Sequence, residues 1–246
     1  MTLPLSIIIP TKNEEKFLPR LLTSIKSQSV QPEEIIVADN NSDDETRKIA
    51  RSFGCKIIQG ANHPGKGRNN GVKIAKNPFL LFLDADVELP SGFLETGFQE
   101  YRDRNLGAAS VLPIADSGKI IDTLGEFFIN KYLLYTESFL YNAFGFCIFS
   151  SKEIHEKIKG FDENIKIAED WDYAYRANKI SKYRFLRKVK IIVSTRRYDA
   201  EGRIILFIKY LRVVYHIIRR EKITYDSSIP YSFSHDYIKS NREKEA

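Results

Sequence analysis

Two carboxylates two positions apart, Asp84 and Asp86, follow an unbroken apolar run at residues 79–83. The run is preceded by Asn77 and Pro78 and reads as a strand buried on both faces. In an extended chain, side chains at i and i+2 point the same way, so both acids can face one ligand where the strand ends. In open α/β sheets, the crevice beyond the carboxyl ends of the strands is where ligands bind. Like charges held this close call for a compensating cation. Mg²⁺ or Mn²⁺ carrying a diphosphate fits, because these hard ions take one or two carboxylates and fill the rest of their shell with phosphate oxygens. The competing reading is an Asp-Ala-Asp that merely ends a strand in solvent. The histidines, His63 among them, show no ligand spacing. Cys55 and Cys147 are far apart and read as reduced core residues.

The elements that would carry these acids follow from periodicity. Residues 5–9 form a first buried strand stopped by Pro10. Thr11 and Glu14 have the spacing of a capping box. Beyond them Phe17, Leu18, Leu21, Leu22 and Ile25 recur at helical spacing to about Gln28, with Pro19 in the first turn or at a kink. A second strand, 34–39, ends in Asp39; residues 40–44 form a turn and cap, a helix runs to about Phe53, and 56–58 is a third strand. This alternation predicts a parallel sheet with right-handed crossovers. A glycine-rich basic segment, 60–71, opens a helix through Ala75; after the two acids come a helix at 90–104 and a strand at 107–112. Residues 1–112 therefore read as a doubly wound nucleotide-binding half, an α/β unit whose mostly parallel central sheet is flanked by helices. From 113 the character changes. Residues 120–141 are rich in Phe, Tyr, Leu and Ile with few clean periods, and are expected to be substrate-facing helix and loop. A strand at 144–149, a helix at 152–158, a turn at 160–163, a helix opened by 168–172 and a last strand at 189–193 complete an acceptor-side half, 113–200.

The whole chain, 246 residues with 43% hydrophobic and 28% charged content, suits one large α/β domain with an appended segment. A net charge of +6 fits phosphate-bearing ligands or an anionic membrane surface and is too small to argue for nucleic acid. The N-terminus enters a strand at once without a secretory pattern, and no uncharged apolar run approaches the roughly 18 to 20 residues of a spanning helix. The expected location is cytoplasmic, or at the cytoplasmic face of a membrane. Residues 201–246 read as an amphipathic basic helix and a flexible tail, with 239–246 charged and expected to be disordered. In the helix, Lys209, Arg212, His216, Arg219 and Arg220 make one basic stripe. It can lie on an anionic membrane with Ile204, Leu206, Phe207, Leu211 and Val214 inserted. It can equally pack on the catalytic unit or on a second copy as a homodimer, which is the preferred reading.

Five segments in this order, residues 6–15, 34–44, 67–71, 82–87 and 169–172, resemble the inverting family 2 glycosyltransferases, which have the GT-A nucleotide-sugar fold. The resemblance covers about residues 4–200. It implies transfer of a sugar from a nucleoside diphosphate, UDP or GDP favoured, to a glycan hydroxyl or a lipid-linked phosphate acceptor, with Mg²⁺ or Mn²⁺ as cofactor. It further implies that Pro10, Thr11, Glu14 and Ala85 line the nucleotide-sugar pocket and that Asp39 accepts from a base N–H, unless Asp39 only caps the next helix. Lys66 and Arg68 would approach the base or the diphosphate, unless they are a solvated basic loop. Asp86 would be the direct metal ligand, with Asp84 on the ribose or a metal-bound water. Asp170 would be the base that takes the acceptor proton, with Glu169 supporting it; otherwise the pair only favours a helix N-terminus. Arg196 and Arg197 resemble the late basic loop over the diphosphate. Gly145, Phe146 and Trp171 are expected on the acceptor side, with core packing the alternative for Trp171. Residues 113–150 match no acceptor class, and a C-terminal transmembrane pair found in several lipid-directed relatives is not present in the sequence. A sugar-nucleotide pyrophosphorylase is disfavoured because Pro10 to Glu14 stands where its glycine-rich signature would be. A dehydrogenase is disfavoured because the first turn lacks Gly-x-Gly-x-x-Gly. The alternative from another class is a non-catalytic nucleotide-sugar-binding or membrane-associated scaffold, which would be expected to lose Asp86 or Asp170.

Overall fold

A computed structural model of the chain describes residues 1–140, 143–219 and 221–224. Its first elements are β1 (Thr2–Thr11), α1 (Leu18–Lys26), β2 (Gln31–Asp39), α2 (Thr46–Ser52), β3 (Lys56–Gln59), α3 (Pro64–Ile74) and β4 (Phe79–Leu83). Next come β5 (Val87–Glu88), α4 (Phe93–Asp103), β6 (Ala108–Ala115), α5 (Ile120–Thr136), β7 (Cys147–Ser151) and α6 (Lys152–Lys157). Last are β8 (Ile165–Ile167), α7 (Glu169–Ile180), β9 (Tyr183–Val193), α8 (Arg196–Glu201), α9 (Arg203–Ile218) and β10 (Ile223–Thr224). The charged tail at 239–246 and Arg220 lie outside the described residues.

One sheet in the order β3-β2-β1-β4-β7-β6-β9-β5 forms the middle layer, and β8 pairs with β10 apart from it. The period of two along each strand divides the core into two layers. Ile7 and Ile9 of β1 and Leu81 and Leu83 of β4 face α1 and α4, packing with Leu18, Leu22, Phe93 and Phe98. Ile8, Leu80 and Phe82 face the other way, toward Val72, Phe161, Tyr173 and Ala177 of the α3, α6 and α7 side.

The sheet is mixed rather than uniformly parallel. The pairings β1–β2, β2–β3, β1–β4 and β6–β9 are parallel, whereas β4–β7, β6–β7 and β5–β9 are antiparallel. A strand buried on both faces carries the same apolar run in either direction, so polarity is not legible from composition. The consequence is functional: β7 runs against β4 while β6 and β9 run with it, so the loops before β7 and after β9 lie at the end of the sheet that holds Asp84 and Asp86.

Several local expectations change. Thr11 is the last residue of β1 and not a helix cap; α1 starts at Leu18 without a side-chain cap. The Thr11 hydroxyl donates instead to Asp39 (3.0 Å), and the Glu14 N–H donates to the Thr46 hydroxyl (2.8 Å), so tertiary partners replace the local box. The strand expected at 144–149 starts at Cys147, leaving Gly145 and Phe146 in the loop before it. The last strand begins at Tyr183, its first half disguised by Arg184, Arg187 and Lys188. Leu206 is buried and faces the protein, so it is not among the outward residues of α9.

Candidate active site

Register brings the sequence-predicted acids to one edge. Thr11 pairs with Asp39 at the ends of β1 and β2. β4 runs parallel to β1 and stops one residue before Asp84. β7 pairs antiparallel with β4 through Leu83 and Cys147, and the Asp84 N–H donates to the Phe146 carbonyl (3.2 Å). Across the short β5–β9 pairing, the Ser194 N–H donates to the Asp86 carbonyl (3.1 Å). Glu169 and Asp170 open α7, whose Tyr173 is buried against Phe82 and Phe161 and so anchors the helix N-terminus to the sheet.

Arg68 ties these segments together. Its side chain is 2% exposed, and its guanidinium donates to Asp84 Oδ1 (2.6 Å), Glu169 Oε1 (3.0 Å) and the Gly145 carbonyl (3.1 Å). It is therefore not a solvated loop residue but the cation between the two acidic motifs. Gly145 completes the link: its N–H donates to Asp170 Oδ2 (2.5 Å). A Cβ at that position would lie 2.9 Å from Arg68 Nη2 and 3.4 Å from Asp170 Oδ2, so the close approach requires glycine. Asp170 also accepts from the Trp171 N–H (2.8 Å). Burial, reinforced by the neighbouring Glu169 charge, pushes the Asp170 carboxyl up to about 7.

A second, partly buried arginine serves the other acid. Arg196 bonds Glu14 through both terminal nitrogens (2.8 and 2.9 Å), reaches Asp86 Oδ2 (2.9 Å), and lies over the Phe17 ring at 4.3 Å. Burial pushes the Glu14 carboxyl up to about 7 although Arg196 opposes it. Burial likewise raises Asp86, against the pull of Arg196 and with a further push from Asp84. The loop carrying Arg196 is fixed by Thr195, whose N–H and hydroxyl both donate to Asp116 Oδ1 (2.9 and 2.8 Å). Arg197, by contrast, turns to Glu201 on its own helix (3.5 Å).

Asp39 is buried at the end of β2, accepting from Thr11 (3.0 Å), from the Ser42 hydroxyl (2.5 Å) and from the Ser42 N–H (3.0 Å). The helix after it has Glu45 as its N-cap with no side-chain cap, while Asp44, just before it, accepts from the Thr46 N–H and hydroxyl. Asp39 also edges a pocket of about 420 Å³ lined by Arg47, Arg51, Cys55, Ile57, Ile58 and Gln59. Arg47 and Arg51 were not singled out from the sequence; their i, i+4 spacing was the available signal. Lys66 is not brought to the acids: its amine lies 3.5 Å from Glu163, at the surface. Pro10 sits half-buried beside Thr11, and Ala85 is buried between the two aspartates. On the acceptor side, Phe146 stacks on Phe144 (4.9 Å), and Trp171 stacks on Tyr175 (5.4 Å) while its indole N–H donates to the Leu140 carbonyl. Both rings remain half-exposed.

Among the described residues, no three His, Cys, Asp or Glu side chains form a cation cage. Asp86 with Asp84 beside it instead fits an open site in which phosphate oxygens complete the shell. That a guanidinium already seats on Asp86 shows that this carboxylate takes a cation.

Comparison with known proteins bears on the family and the fold. A family model described as "Glycosyl transferase family 2" matches residues 6–158. The 4,4'-diaponeurosporenoate glycosyltransferase of Staphylococcus haemolyticus is 36% identical over 148 residues, 56% of this chain and 39% of that protein. The GalNAc(5)-diNAcBac-PP-undecaprenol beta-1,3-glucosyltransferase of Campylobacter jejuni is 36% identical over 104 residues, 39% of this chain and 34% of that one. The chain thus matches well under half the length of these relatives. Among solved structures, residues 1–349 of S. aureus TarS align with TM-score 0.63 and 20% identity over 86% of this chain and 65% of that one. The mannosyltransferase PcManGT of Pyrobaculum calidifontis, in complex with GDP-Man and Mn2+, aligns with TM-score 0.65 and 18% identity over 99% and 69%. At these identities the structural likeness carries the fold.

Proposed function

The chain belongs to glycosyl transferase family 2 and has the GT-A fold, and from that premise we propose that it is an inverting, metal-dependent glycosyltransferase that moves a sugar from a nucleoside diphosphate to a hydroxyl or lipid-phosphate acceptor. The observation that carries this reading is the continuous link from Asp84 through Arg68 and Gly145 to Asp170, which joins a diphosphate-type acid pair to a half-buried base. Asp170 takes the proton of the acceptor O–H as that oxygen attacks the anomeric carbon. The bond to the diphosphate breaks on the opposite face, and its electron pair leaves with the nucleoside diphosphate. A carboxyl raised to about 7 is a stronger base than an ordinary aspartate and still ionises near neutral pH. Asp86 and Asp84 would hold Mg²⁺ or Mn²⁺, which supplies neutralisation of diphosphate charge. Arg196 stands where it can pass from Asp86 to a phosphate oxygen.

The pocket beside Asp39, with Arg47 and Arg51, suits a base and ribose. Relatives bind UDP-GlcNAc and GDP-Man, which supports a UDP- or GDP-sugar donor. Relatives named for 4,4'-diaponeurosporenoate and for a PP-undecaprenol substrate support an acceptor from the lipid or cell-envelope class.

Thermal unfolding with UDP and GDP, with and without Mn²⁺, tests the donor site, since a ligand of the folded state raises the midpoint by mass action. The expected result is a metal-dependent rise with one nucleotide, absent in Asp86→Ala and retained in Asp170→Asn, while Asp170→Asn abolishes transfer. No rise with either nucleotide, or full turnover in Asp170→Asn, would refute the reading.

A further inference from the structure

The helix α5 is built largely inside out, Leu133 being its one fully buried apolar side chain. Asp122, Asn130 and Thr136 are buried against the protein, where Asp122 binds Arg203 (2.7 Å to each carboxylate oxygen) and Asn130 donates to the Pro113 carbonyl (3.2 Å). Ile120, Leu124, Phe127, Phe128 and Tyr135 point outward, with Ile120 80% exposed. A helix facing water carries the opposite arrangement. In α9, only Leu206 and Ile217 are buried, while Ile204, Phe207, Leu211, Tyr215 and Ile218, at steps of three and four, form an outward stripe with Ile204 77% exposed. All but four of the exposed large hydrophobic side chains among the described residues lie on these two helices; the exceptions are Met1, Ile74, Phe139 and Ile180.

The two faces are joined. The Arg203–Asp122 pair and a Lys119–Asp199 contact (3.1 Å) tie the start of α5 to α8 and α9. Both segments leave the carboxyl ends of neighbouring strands β6 and β9, which Thr195 and Asp116 clamp together at the edge holding the candidate active site.

Charge identifies the occupant. Residues 201–222 contain six Lys or Arg against two Glu, most of the excess in a chain of net charge +6. Lys209, Arg212, His216 and Arg219 recur at steps of three and four along one flank of the α9 apolar stripe. On α5 the outward arc carries one charge, Lys131, whose amine sits over the Phe127 ring at 5.6 Å. No described helix is long and apolar enough to cross a membrane, so such a surface lies on a bilayer rather than in it. We propose that α5 and α9 together form a docking surface for an anionic lipid bilayer, their apolar stripes sunk to the acyl boundary and the basic flank on the headgroups. Docked this way, the catalytic edge faces a lipid-borne acceptor; that consequence rests on the transferase reading, whereas the docking itself does not.

Flotation of the full chain with phosphatidylcholine vesicles, with and without phosphatidylglycerol, tests this without any turnover. The expected result is flotation that needs phosphatidylglycerol and weakens with salt. Phe127→Glu with Phe207→Glu, and separately Lys131→Glu with Arg212→Glu, each lower partitioning by roughly tenfold or more. These side chains are outside the core, so both variants keep the wild-type thermal midpoint. No flotation, equal flotation without anionic lipid, or binding unchanged in both variants overturns the proposal. A dimer that Phe127→Glu with Phe207→Glu dissociates, in a protein that does not float, assigns the face to a second copy instead. A protein that floats but transfers no sugar leaves the docking standing and removes only the acceptor consequence.

Discussion

Arg68→Met removes the charge between the two acidic motifs while keeping most of the side-chain volume. The guanidinium lies 2.6 Å from Asp84 and 3.0 Å from Glu169. At an effective dielectric of about 20, each contact is worth roughly 5 to 6 kcal/mol of gross attraction, and burying the guanidinium takes back several kcal/mol. Breaking a buried ion pair from one side costs about 3 to 5 kcal/mol net, because the abandoned charges stay buried. Against a domain stability of about 5 to 15 kcal/mol, the variant folds but is marginal. The loss also depends on pH in a definite sense. A carboxyl whose folded pKa is raised contributes stability below its unfolded value and loses it as pH climbs through the folded value. Asp170, raised to about 7, already does this in the wild type between about 4 and 7. Arg68 is one of the groups holding Asp170 down, so its removal extends the window above 7, at about 1.4 kcal/mol for each unit of further rise. Urea unfolding at pH 6 and pH 9 reads the difference directly. The gap between wild type and Arg68→Met should widen by at least about 1 kcal/mol at the higher pH. An equal gap at both pH values, or a total loss below about 1 kcal/mol, would show that the guanidinium does not neutralise this cluster.

Two further outcomes follow from the packing. Gly145→Ala places a methyl 2.9 Å from Arg68 Nη2 and should lower turnover by about tenfold or more, with an unfolding cost of about 1 to 3 kcal/mol, read by initial rates and thermal melts. Glu34 is buried, which pushes its carboxyl up, but bonds from Lys56, Ser6 and the Lys76 N–H outweigh burial and hold it at about 2. Its stabilising contribution is present above the ordinary carboxylate range and lost as pH falls toward 2. Glu34→Gln should therefore cost on the order of 2 to 3 kcal/mol in urea unfolding at pH 7, with the gap closing in acid.

The strands that carry the site were legible because each is a short apolar run ending at a polar turn, and Asp39, Asp84 and Asp86 could be located from those ends alone. What was not legible depends on partners far away in the chain. Thr11 and Glu14 have the local spacing of a capping box, but Asp39 takes the hydroxyl, and Arg196 takes the carboxylate from 182 residues away. Lys66 and Arg68 look equivalent in a basic loop; one is at the surface and the other is among the most buried side chains, a distinction set by the face of α3 that meets the sheet. The segment 120–136 showed no clean period because most of its apolar residues mark the outward face, while Asp122, Asn130 and Thr136 share the inward face with Leu133.

Burial raises three of the site's acids, Glu14, Asp86 and Asp170, and the charge balance of the site offsets that rise only in part. Glu14, Asp84, Asp86, Glu169 and Asp170 gather at one end of the sheet, and the cations that reach them directly are the buried Arg68 and the partly buried Arg196. Each guanidinium is shared, and Glu14 beside Arg196 and Asp170 beyond Arg68 are each pushed up to about 7, so a proton shares in neutralising them near neutral pH. A proton is the weakest of the available compensations, because it leaves whenever a stronger positive field arrives. Asp84 and Asp86 are among the charges that raise Glu14, so any cation seated on them lowers it. Asp84 also draws on Arg68, and whatever takes over its negative charge leaves more of the guanidinium's field for Asp170. On the proposed reading, with Asp170 as the base and Asp84 and Asp86 at the donor end, loading the donor and ionising the base would be coupled through one arginine.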